Sequence, residues 1–304
     1  PTTMAFQVRG TTAPMLAIIG AGTEAHQATV MPMPQDLMIV GPGQGEISIP
    51  EVAGLPGESV RIDLSNMAGT WLDTYAVVSL NGVAELVERA GGLEVTLGEA
   101  YPTKAGPLGP GAVTLTGKQV KAFLAGSTDD AATRWEFVLT ALLEDPPALE
   151  EADIAETDDA QAASEVFAGA QGADVTQVPT VVVAGTVRIP KYDELDRIMA
   201  DSFGATTPTP AIVQNGNGEA GVGEAVGAKL IPAGFRITLS QNAQTFDLIT
   251  TDVFANGLEF EEDAKRARKA LGVGRVRVSQ VPSGIGDVLI VVGKDFTVDE
   301  GGTG

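Results

Sequence analysis

Cysteine is absent from this 304-residue chain, and histidine occurs once, at His26. The chain therefore cannot form disulfides, use a thiolate or build a cysteine-ligated zinc or iron–sulfur site, and a single histidine is too few for a histidine-based metal site. Any chemistry must rest on carboxylates, hydroxyls, lysine and arginine. We predict no metal site, and we interpret His26 as a loop residue.

Basic residues are scarce as well. The chain has 19 Lys and Arg against 40 Asp and Glu, which gives a net charge of −21. This surplus of negative charge opposes any surface that must neutralise several phosphates of a nucleic acid. We therefore expect no nucleic-acid partner.

Long apolar runs are also missing. No segment approaches the roughly 20 apolar residues that a membrane-spanning helix needs, and the best candidates, Met15–Gly20 and Val181–Ala184, have the length of strands. The chain opens Pro1–Met4 without a basic region followed by an apolar stretch, so no signal peptide is predicted in it. Because 44% of its residues are apolar, the chain can still bury two hydrophobic cores.

Alternating threonine and proline predict a linker at 205–210, because they favour extended backbone and stop the preceding helical pattern. Before it, interleaved strand and helix patterns predict an α/β domain with a mixed sheet over 1–204. After it, a repeated βαβ pattern predicts a small separate α/β domain over 211–297 and a disordered tail at 298–304. The acidic segment 146–172 is predicted to form surface helices.

A glycine motif, Gly216–Gly221, follows a predicted strand and opens a predicted helix, as a dinucleotide-binding loop would. The next predicted strand, however, ends Ser240-Gln241-Asn242 without the acidic residue that would bind a ribose. We favour a tight strand-to-helix turn over a nucleotide site.

Five segments of the second domain follow the order of one known family. They are Val213–Gly218 with its Asn-Gly-x-Gly turn, Ala228–Phe235, Thr250–Phe254, Ala264–Leu271 and Gly286–Gly293. Together they resemble the LytR C-terminal domain family over nearly all of 211–296. The resemblance implies an envelope-associated accessory or binding module.

Five segments of the first domain are similar to the LytR-CpsA-Psr family in the same order. They are Ala28–Asp36, Trp71–Val78, Leu86–Val95, Leu115–Val120 and Arg134–Leu139. The resemblance implies a domain that transfers a glycopolymer from polyprenyl pyrophosphate to the cell wall. Such transfer requires a magnesium-binding carboxylate and several arginines, because the pyrophosphate charge must be offset where it develops.

Several of the charged positions that the resemblance implies are neutral here. Gln35 stands in place of the arginine of a Pro-Arg-Asp motif, Ala13 lies where an early aspartate is expected, and Ala125–Ser127 replaces an Arg-x-Arg. We assign no catalytic residue. The remaining candidates for binding a phosphate or cation are Asp36, Arg134, Gln35 and Arg9.

Asp36 and Arg134 each have a structural alternative. Asp36 would hold the turn before Leu37, and Arg134 would pair with Asp129 or Asp130 at a helix start. Trp71 and Trp135 are interpreted as core residues rather than platforms for sugars.

Apolar side chains on three predicted helices are candidates to line a cavity for a polyprenyl chain. They are Val83, Leu86, Val87, Val120, Phe123, Leu124, Val138 and Leu139. A lipid site would depend on buried apolar area rather than on arginines. A packed core is the alternative.

The leading functional hypothesis is an extracytoplasmic cell-envelope protein, membrane-anchored in its full-length form. It would bind a polyprenyl-linked glycopolymer or a cell-wall partner, including other envelope proteins, without transferase activity. An active phosphotransferase, which alone would need Mg²⁺, and a structural scaffold are the alternatives.

Overall fold

The computed structural model describes residues 2–11, 13–104, 106–127, 130–183, 185, 187–279 and 286–298. The tail predicted to be disordered, 298–304, lies outside these residues except for Val298. Among the described residues, no helix combines the length and the apolar character needed to cross a membrane.

The strands are, in chain order, β1 (Thr3–Arg9), β2 (Met15–Gly20), β3 (Thr29–Pro32), β4 (Met38–Gly41), β5 (Gly45–Ser48), β6 (Thr74–Ser79), β7 (Leu93–Leu97), β8 (Gly111–Leu115), β9 (Ile154–Thr157), β10 (Asp174–Val175), β11 (Thr180–Val183), β12 (Val187–Pro190), β13 (Thr209–Asn215), β14 (Phe235–Asn242), β15 (Asp252–Asn256), β16 (Arg275–Ser279) and β17 (Val288–Val292). The α-helices are α1 (Ile49–Val52), α2 (Gly57–Ala68), α3 (Leu80–Arg89), α4 (Gly117–Leu124), α5 (Ala131–Glu144), α6 (Ala160–Gly169), α7 (Tyr192–Phe203), α8 (Val222–Leu230) and α9 (Glu261–Leu271). Short 3₁₀ turns occur at Glu151–Asp153, Ile231–Ala233 and Leu258–Phe260.

The chain divides into two compact units. Unit 1 comprises Pro1–Leu37, Ser48–Arg61 and Leu72–Gly204, and unit 2 comprises Met38–Ile47, Ile62–Trp71 and Ala205–Gly304. Two short segments that precede residue 204 thus belong to unit 2. The sequence predicts a division in chain order at residue 204, so it does not predict this exchange of segments. Asn66 explains part of this, because its side-chain amide donates to the carbonyls of Val40 (2.8 Å) and Ile237 (2.9 Å).

Unit 1 is built on a mixed sheet with strand order β10-β3-β2-β1-β6-β9. The central strand β1 pairs antiparallel with β2 and parallel with β6. Its residues Met4, Phe6 and Val8 join the main hydrophobic core. The predicted α/β class with a mixed sheet is confirmed.

Helices α3 and α4 begin at side-chain caps that occupy backbone amides otherwise left unpaired at a helix start. The hydroxyl of Ser79 accepts from the amide of Gly82 (2.9 Å). Thr116, which precedes α4, and Gln119 form a reciprocal capping box, in which the Thr116 amide donates to Gln119 Oε1 (2.9 Å). These caps fix the faces that α3 and α4 turn toward the core.

The prediction of surface helices over 146–172 is wrong in part. Ile154–Thr157 forms β9, an edge strand of the main sheet. Helix α6 buries Ala163, Val166 and Phe167 completely. The many acidic residues of this segment make its narrow apolar stripe of mostly small side chains difficult to recognise in the sequence. This stripe is sufficient to pack α6 on the sheet.

Unit 2 contains a separate five-stranded sheet with strand order β14-β13-β17-β15-β16. β13 lies parallel to both β14 and β17, whereas β15 runs antiparallel to β17. Helices α8 and α9 contact each other and pack against the sheet. The separate C-terminal α/β domain is confirmed. Its strand β15 begins at Asp252, because the amide and hydroxyl of the preceding Thr251 donate to the Asp295 carboxylate.

Candidate functional site

A groove of about 700 Å³ lies in unit 1 between the β7–β8 hairpin, helix α5 and strand β10. Its apolar contact surface comes from Val95, Val113, Phe137, Ala141 and Val175. Hydroxyls and carboxylates also line it, from Thr96, Thr114, Thr133, Thr140, Glu94, Glu136 and Glu144. The groove therefore offers apolar contact and hydrogen-bonding oxygens to the same ligand.

The alternation of β7 and the period of α5 place these side chains. In β7, Leu93, Val95 and Leu97 are buried and Glu94 and Thr96 are exposed, as a strand with one core face requires. In α5, Trp135, Val138, Leu139 and Leu142 form a buried stripe at helical spacing. Glu136, Phe137 and Thr140 are less buried and line the groove.

The eight candidates for a lipid cavity lie in the core. Val83, Leu86, Val87, Val120, Phe123, Leu124, Val138 and Leu139 belong to one hydrophobic cluster and are at most 1% exposed. Since almost none of their surface meets even a water-sized probe, these side chains border no open space in the described structure. A lipid site lined by them stays a prediction, and it would require α3, α4 and α5 to separate.

The Asp36 carboxylate forms an exposed ion pair with an arginine, Arg188. Its Oδ2 accepts from Nε of Arg188 (2.7 Å), and both side chains are about half exposed. The same two residues are joined by the backbone, since the Arg188 amide donates to the Asp36 carbonyl (3.2 Å). Asp36 thus holds its turn against β12, while the neighbouring Gln35 is half-buried and carries no charge.

Arg9, at the end of β1, is also bound within the fold. Its Nη1 donates to Glu156 Oε2 (2.6 Å) and its Nη2 to the Leu55 carbonyl (2.7 Å). Glu156 lies on the edge strand β9 and accepts from the Gly57 amide through its other oxygen (3.0 Å). Arg9 therefore ties the sheet to the start of α2.

Arg134 is completely buried. Its Nε and Nη2 donate to the two carboxylate oxygens of Asp130 (2.8 and 2.9 Å), and Nη1 and Nη2 reach the carbonyls of Phe123 (2.9 Å) and Pro102 (3.1 Å). Its guanidinium carbon lies 5.2 Å from the Tyr101 ring centre. The pairing with Asp130 is the alternative that the sequence left open; Asp129 lies outside the described residues.

A magnesium ion, which the family resemblance implies for transfer, does not fit the described side chains. Asp36 already neutralises Arg188. Among the described residues, no three His, Asp or Glu side chains are grouped so that they could hold a metal ion. We derive no step through a metal.

The remaining aromatic and histidine candidates have structural positions. Trp135 is buried and stacks on Phe6 with 6.1 Å between the ring centres. Trp71, in unit 2, is half-buried. His26 lies in a loop, where its Nδ1 is 2.9 Å from the Asp201 carbonyl oxygen.

The glycine motif of unit 2 forms a turn stabilised by asparagine side chains. Asn215 Oδ1 accepts from the amides of Asn217 (3.2 Å) and Gly218 (2.9 Å), and Asn217 Oδ1 accepts from the amide of Glu219 (2.8 Å). These amides are therefore used inside the loop, which favours the tight turn over a phosphate cradle.

The sequence does not predict the groove or the partners of Asp36 and Arg9. Arg188 lies 152 residues from Asp36, and Glu156 lies 147 residues from Arg9. A local sequence pattern cannot predict ion pairs between residues that only the tertiary fold brings together. The sequence shows the alternation of apolar and polar residues in β7, but it does not show that α5 and β10 lie opposite β7 and complete the groove.

Solved structures of the LytR-CpsA-Psr class share the fold of about two thirds of the chain. B. subtilis TagV matches with a TM-score of 0.53 and 13% identity, over 65% of this chain and 93% of its own. A LytR-Csp2A-Psr enzyme from Actinomyces oris matches with 0.50 and 17%, over 65% and 89%. B. subtilis TagT bound to LI-WTA matches with 0.50 and 14%, over 65% and 88%. At these identities the likeness shows the fold alone.

Residues 210–296 match the family described as LytR cell envelope-related transcriptional attenuator. No curated protein matches the chain significantly. The chain therefore combines a LytR-CpsA-Psr-like fold with a LytR C-terminal domain, as the sequence predicts.

Proposed function

We propose that this chain is an extracytoplasmic cell-envelope protein that binds the saccharide part of a polyprenyl-linked glycopolymer without transferring it. The observation that carries the proposal is the pairing of the candidate arginines: Arg9 and Arg134 each bind a carboxylate of the same unit. The ligand class comes from the family resemblance and from TagT, a fold relative whose structure holds LI-WTA.

The groove beside α5 supports a saccharide as the bound part. Its volume falls within the roughly 300–1,000 Å³ of small-molecule sites. Threonine hydroxyls and glutamate oxygens suit the hydroxyls of a sugar, and the Phe137 side chain suits its C–H face. Glu94, Glu136 and Glu144 would repel a pyrophosphate, so we place only an uncharged segment of the ligand in the groove.

Transfer is disfavoured because Arg9 and Arg134, the arginines that could stabilise the charged leaving group, are bound within the fold. Phosphoryl transfer needs positive groups placed where negative charge develops. Gln35 is neutral, and the guanidinium of Arg134 is surrounded by Asp130, two carbonyls and aromatic rings. An active phosphotransferase remains the second candidate, and it would require these pairs to exchange partners on binding.

The groove is tested by isothermal titration with a neutral N-acetylhexosamine tetrasaccharide. Thr140→Arg fills the groove from α5 with a side chain that a helix accepts, so we expect affinity to fall at least tenfold with the melting temperature retained. Glu165→Gln, an exposed carboxylate change on α6 outside the groove, is the control and should bind as the parent does. Absent binding to the parent protein, or equal binding to Thr140→Arg, would reject the saccharide site.

A further inference from the structure

A small cavity in unit 2 is separate from the groove of unit 1. It has a volume of about 360 Å³ and lies where strands β13 and β14 end, beside the start of helix α8. β13 and β14 are parallel, and the crevice beyond the carboxyl ends of parallel strands is a common ligand position in α/β folds. Its polar side chains are those of Gln44, Asn215, Glu219, Ser240, Gln241 and Asn242.

The turn between β4 and β5 contributes Gly43 to one wall of the cavity, and close packing on α8 fixes this turn. A Cβ placed on Gly223 would collide with the Pro42 carbonyl oxygen, and one placed on Gly227 would lie 2.6 Å from Pro42 Cβ. The hydroxyl of Ser240 donates to the same carbonyl. Because glycine at these two positions of α8 leaves room for Pro42, the wall is part of the fold.

Four of the six polar side chains at the cavity are carboxamides. Asn215 is held within its own turn, where its Nδ2 donates to the Glu219 carbonyl (2.8 Å). Gln241 and Asn242 are exposed, and their side chains form no hydrogen bond with the described residues. Asn242 lies two residues beyond Ser240 on β14, so both face the same side of the sheet. A free carboxamide offers a donor and an acceptor side by side, which match the C=O and N–H of a peptide group.

The side chains of the described residues that line the cavity include one charged group, Glu219, and no aromatic ring. Glu219 is exposed and forms no ion pair with the described residues. The cavity therefore disfavours an anion and attracts an ammonium group. Without a ring, it lacks the flat apolar surface on which a sugar packs. In this respect it differs from the groove of unit 1, which Phe137 lines.

We propose that this cavity binds a short peptide by its free N-terminal ammonium group. Glu219 pairs with the ammonium, and the carboxamides of Gln241 and Asn242 bond to the first peptide groups. Capture of a peptide's N-terminal amine is one of the recurring modes of peptide recognition. The volume is near the lower limit of the roughly 300–1,000 Å³ of small-molecule sites, so the cavity admits only a short segment. The ligand class follows from the lining residues and does not depend on glycopolymer binding by unit 1.

The test is an NMR titration of the full chain with trialanine amide and with its N-acetylated form. We expect the free-amine peptide to shift the amide signals of Gly221, Gly223 and Asn242, and acetylation to weaken binding about threefold because it removes the charge. Glu219→Gln should weaken binding of the free-amine peptide by a similar factor and leave binding of the acetylated peptide unchanged. Asn242→Leu removes a donor and an acceptor at similar volume and should weaken binding of both peptides about fivefold. Gln244→Leu changes an exposed carboxamide outside the cavity and should bind both peptides as the parent does.

Three outcomes would overturn the proposal: no shift of these signals at millimolar peptide, equally tight binding of the acetylated peptide to the parent chain, or equally tight binding of both peptides to Asn242→Leu. A neutral N-acetylhexosamine disaccharide that shifts the same signals at lower concentration would also overturn it, because the cavity would then take a sugar. Failure here is distinguishable from failure of the groove. Thr140→Arg should leave peptide binding unchanged, and Asn242→Leu should leave tetrasaccharide binding unchanged.

Discussion

The two units differ in the burial of their ion-paired arginines. In unit 1, five arginines are each paired with at least one carboxylate of the same unit: Arg9, Arg61, Arg89, Arg134 and Arg188. In unit 2, the ion-paired arginines Arg266, Arg275 and Arg277 have side chains that are 43–56% exposed. In unit 1, by contrast, the ion-paired side chains of Arg61 and Arg134 are 11% and 0% exposed. The presence of an arginine at a motif position is therefore insufficient to identify a phosphate site.

The largest expected effect comes from breaking the buried pair of unit 1. Arg134→Met should lower the free energy of unfolding by about 3–5 kcal/mol, because Asp130 and two carbonyls lose their donor. Urea denaturation measures this loss. Arg275→Met is the matched exposed change and should cost under about 1 kcal/mol. Similar losses in both variants would remove the contrast between the units.

Unit 2 contains a buried acidic side chain, Asp63, whose protonation depends on its burial. Asp63 on α2 is 1% exposed, and its Oδ2 accepts no hydrogen bond from the described residues. Burial, with a smaller contribution from the negative charge of Glu224, raises the pKa of Asp63 from 3.8 to about 8. The folded protein therefore keeps this proton at neutral pH, whereas the unfolded chain releases it above about pH 4.

Asp63 should accordingly make the protein less stable as pH rises through this window. Between pH 5 and pH 7 the free energy of unfolding should fall by about 1.4 kcal/mol per pH unit from this group, and the loss should end above pH 8. Asp63→Asn, which carries no charge at either pH, should remove that slope in urea denaturation. Asp36→Asn serves as the exposed control. An unchanged slope in Asp63→Asn would show that the carboxyl ionises inside the fold without cost.

The class of fold was predictable because most elements follow clear periods. The stripes of α3 and α5, the alternation of β7 and the Thr116 cap all lie where hydrophobic spacing and capping chemistry indicate them. Helix α2 was missed for a physical reason. It buries Ser59, Asp63, Ser65 and Asn66, so polar residues occupy positions where a pattern-based reading expects apolar ones.

The candidate site was less predictable than the fold. The sequence identifies Asp36, Arg9 and Arg134 as charged residues at suggestive positions, but whether each is free depends on partners fixed by the tertiary structure. Arg188 and Glu156 are such partners, more than a hundred residues away in the chain. The pairing of Arg134 with Asp130 could be predicted from the sequence, because Asp130 lies four residues before Arg134, at the start of α5.

The smallest effect is expected at the exposed pair of unit 1. Arg188→Gln should change the free energy of unfolding by less than about 1 kcal/mol, because both partners are about half exposed and solvated. Thermal unfolding at low and high salt measures it, with Lys118→Gln as a control for charge. A loss of several kcal/mol would mean that Asp36 and Arg188 anchor β12 far more strongly than their exposure suggests.

Arg9 and Arg134, the candidate phosphate-binding arginines of unit 1, are bound within the fold, and on this basis we propose that the protein binds glycopolymer without transferring it. The most direct measurement incubates the purified chain with Mg²⁺, a polyprenyl-pyrophosphate oligosaccharide and cell-wall acceptor fragments, and quantifies the transferred saccharide. We predict no transfer above background, with saccharide binding retained in the same preparation. Robust transfer that Asp36→Ala abolishes would contradict the claim, because it would show that the ion pairs rearrange into a working site.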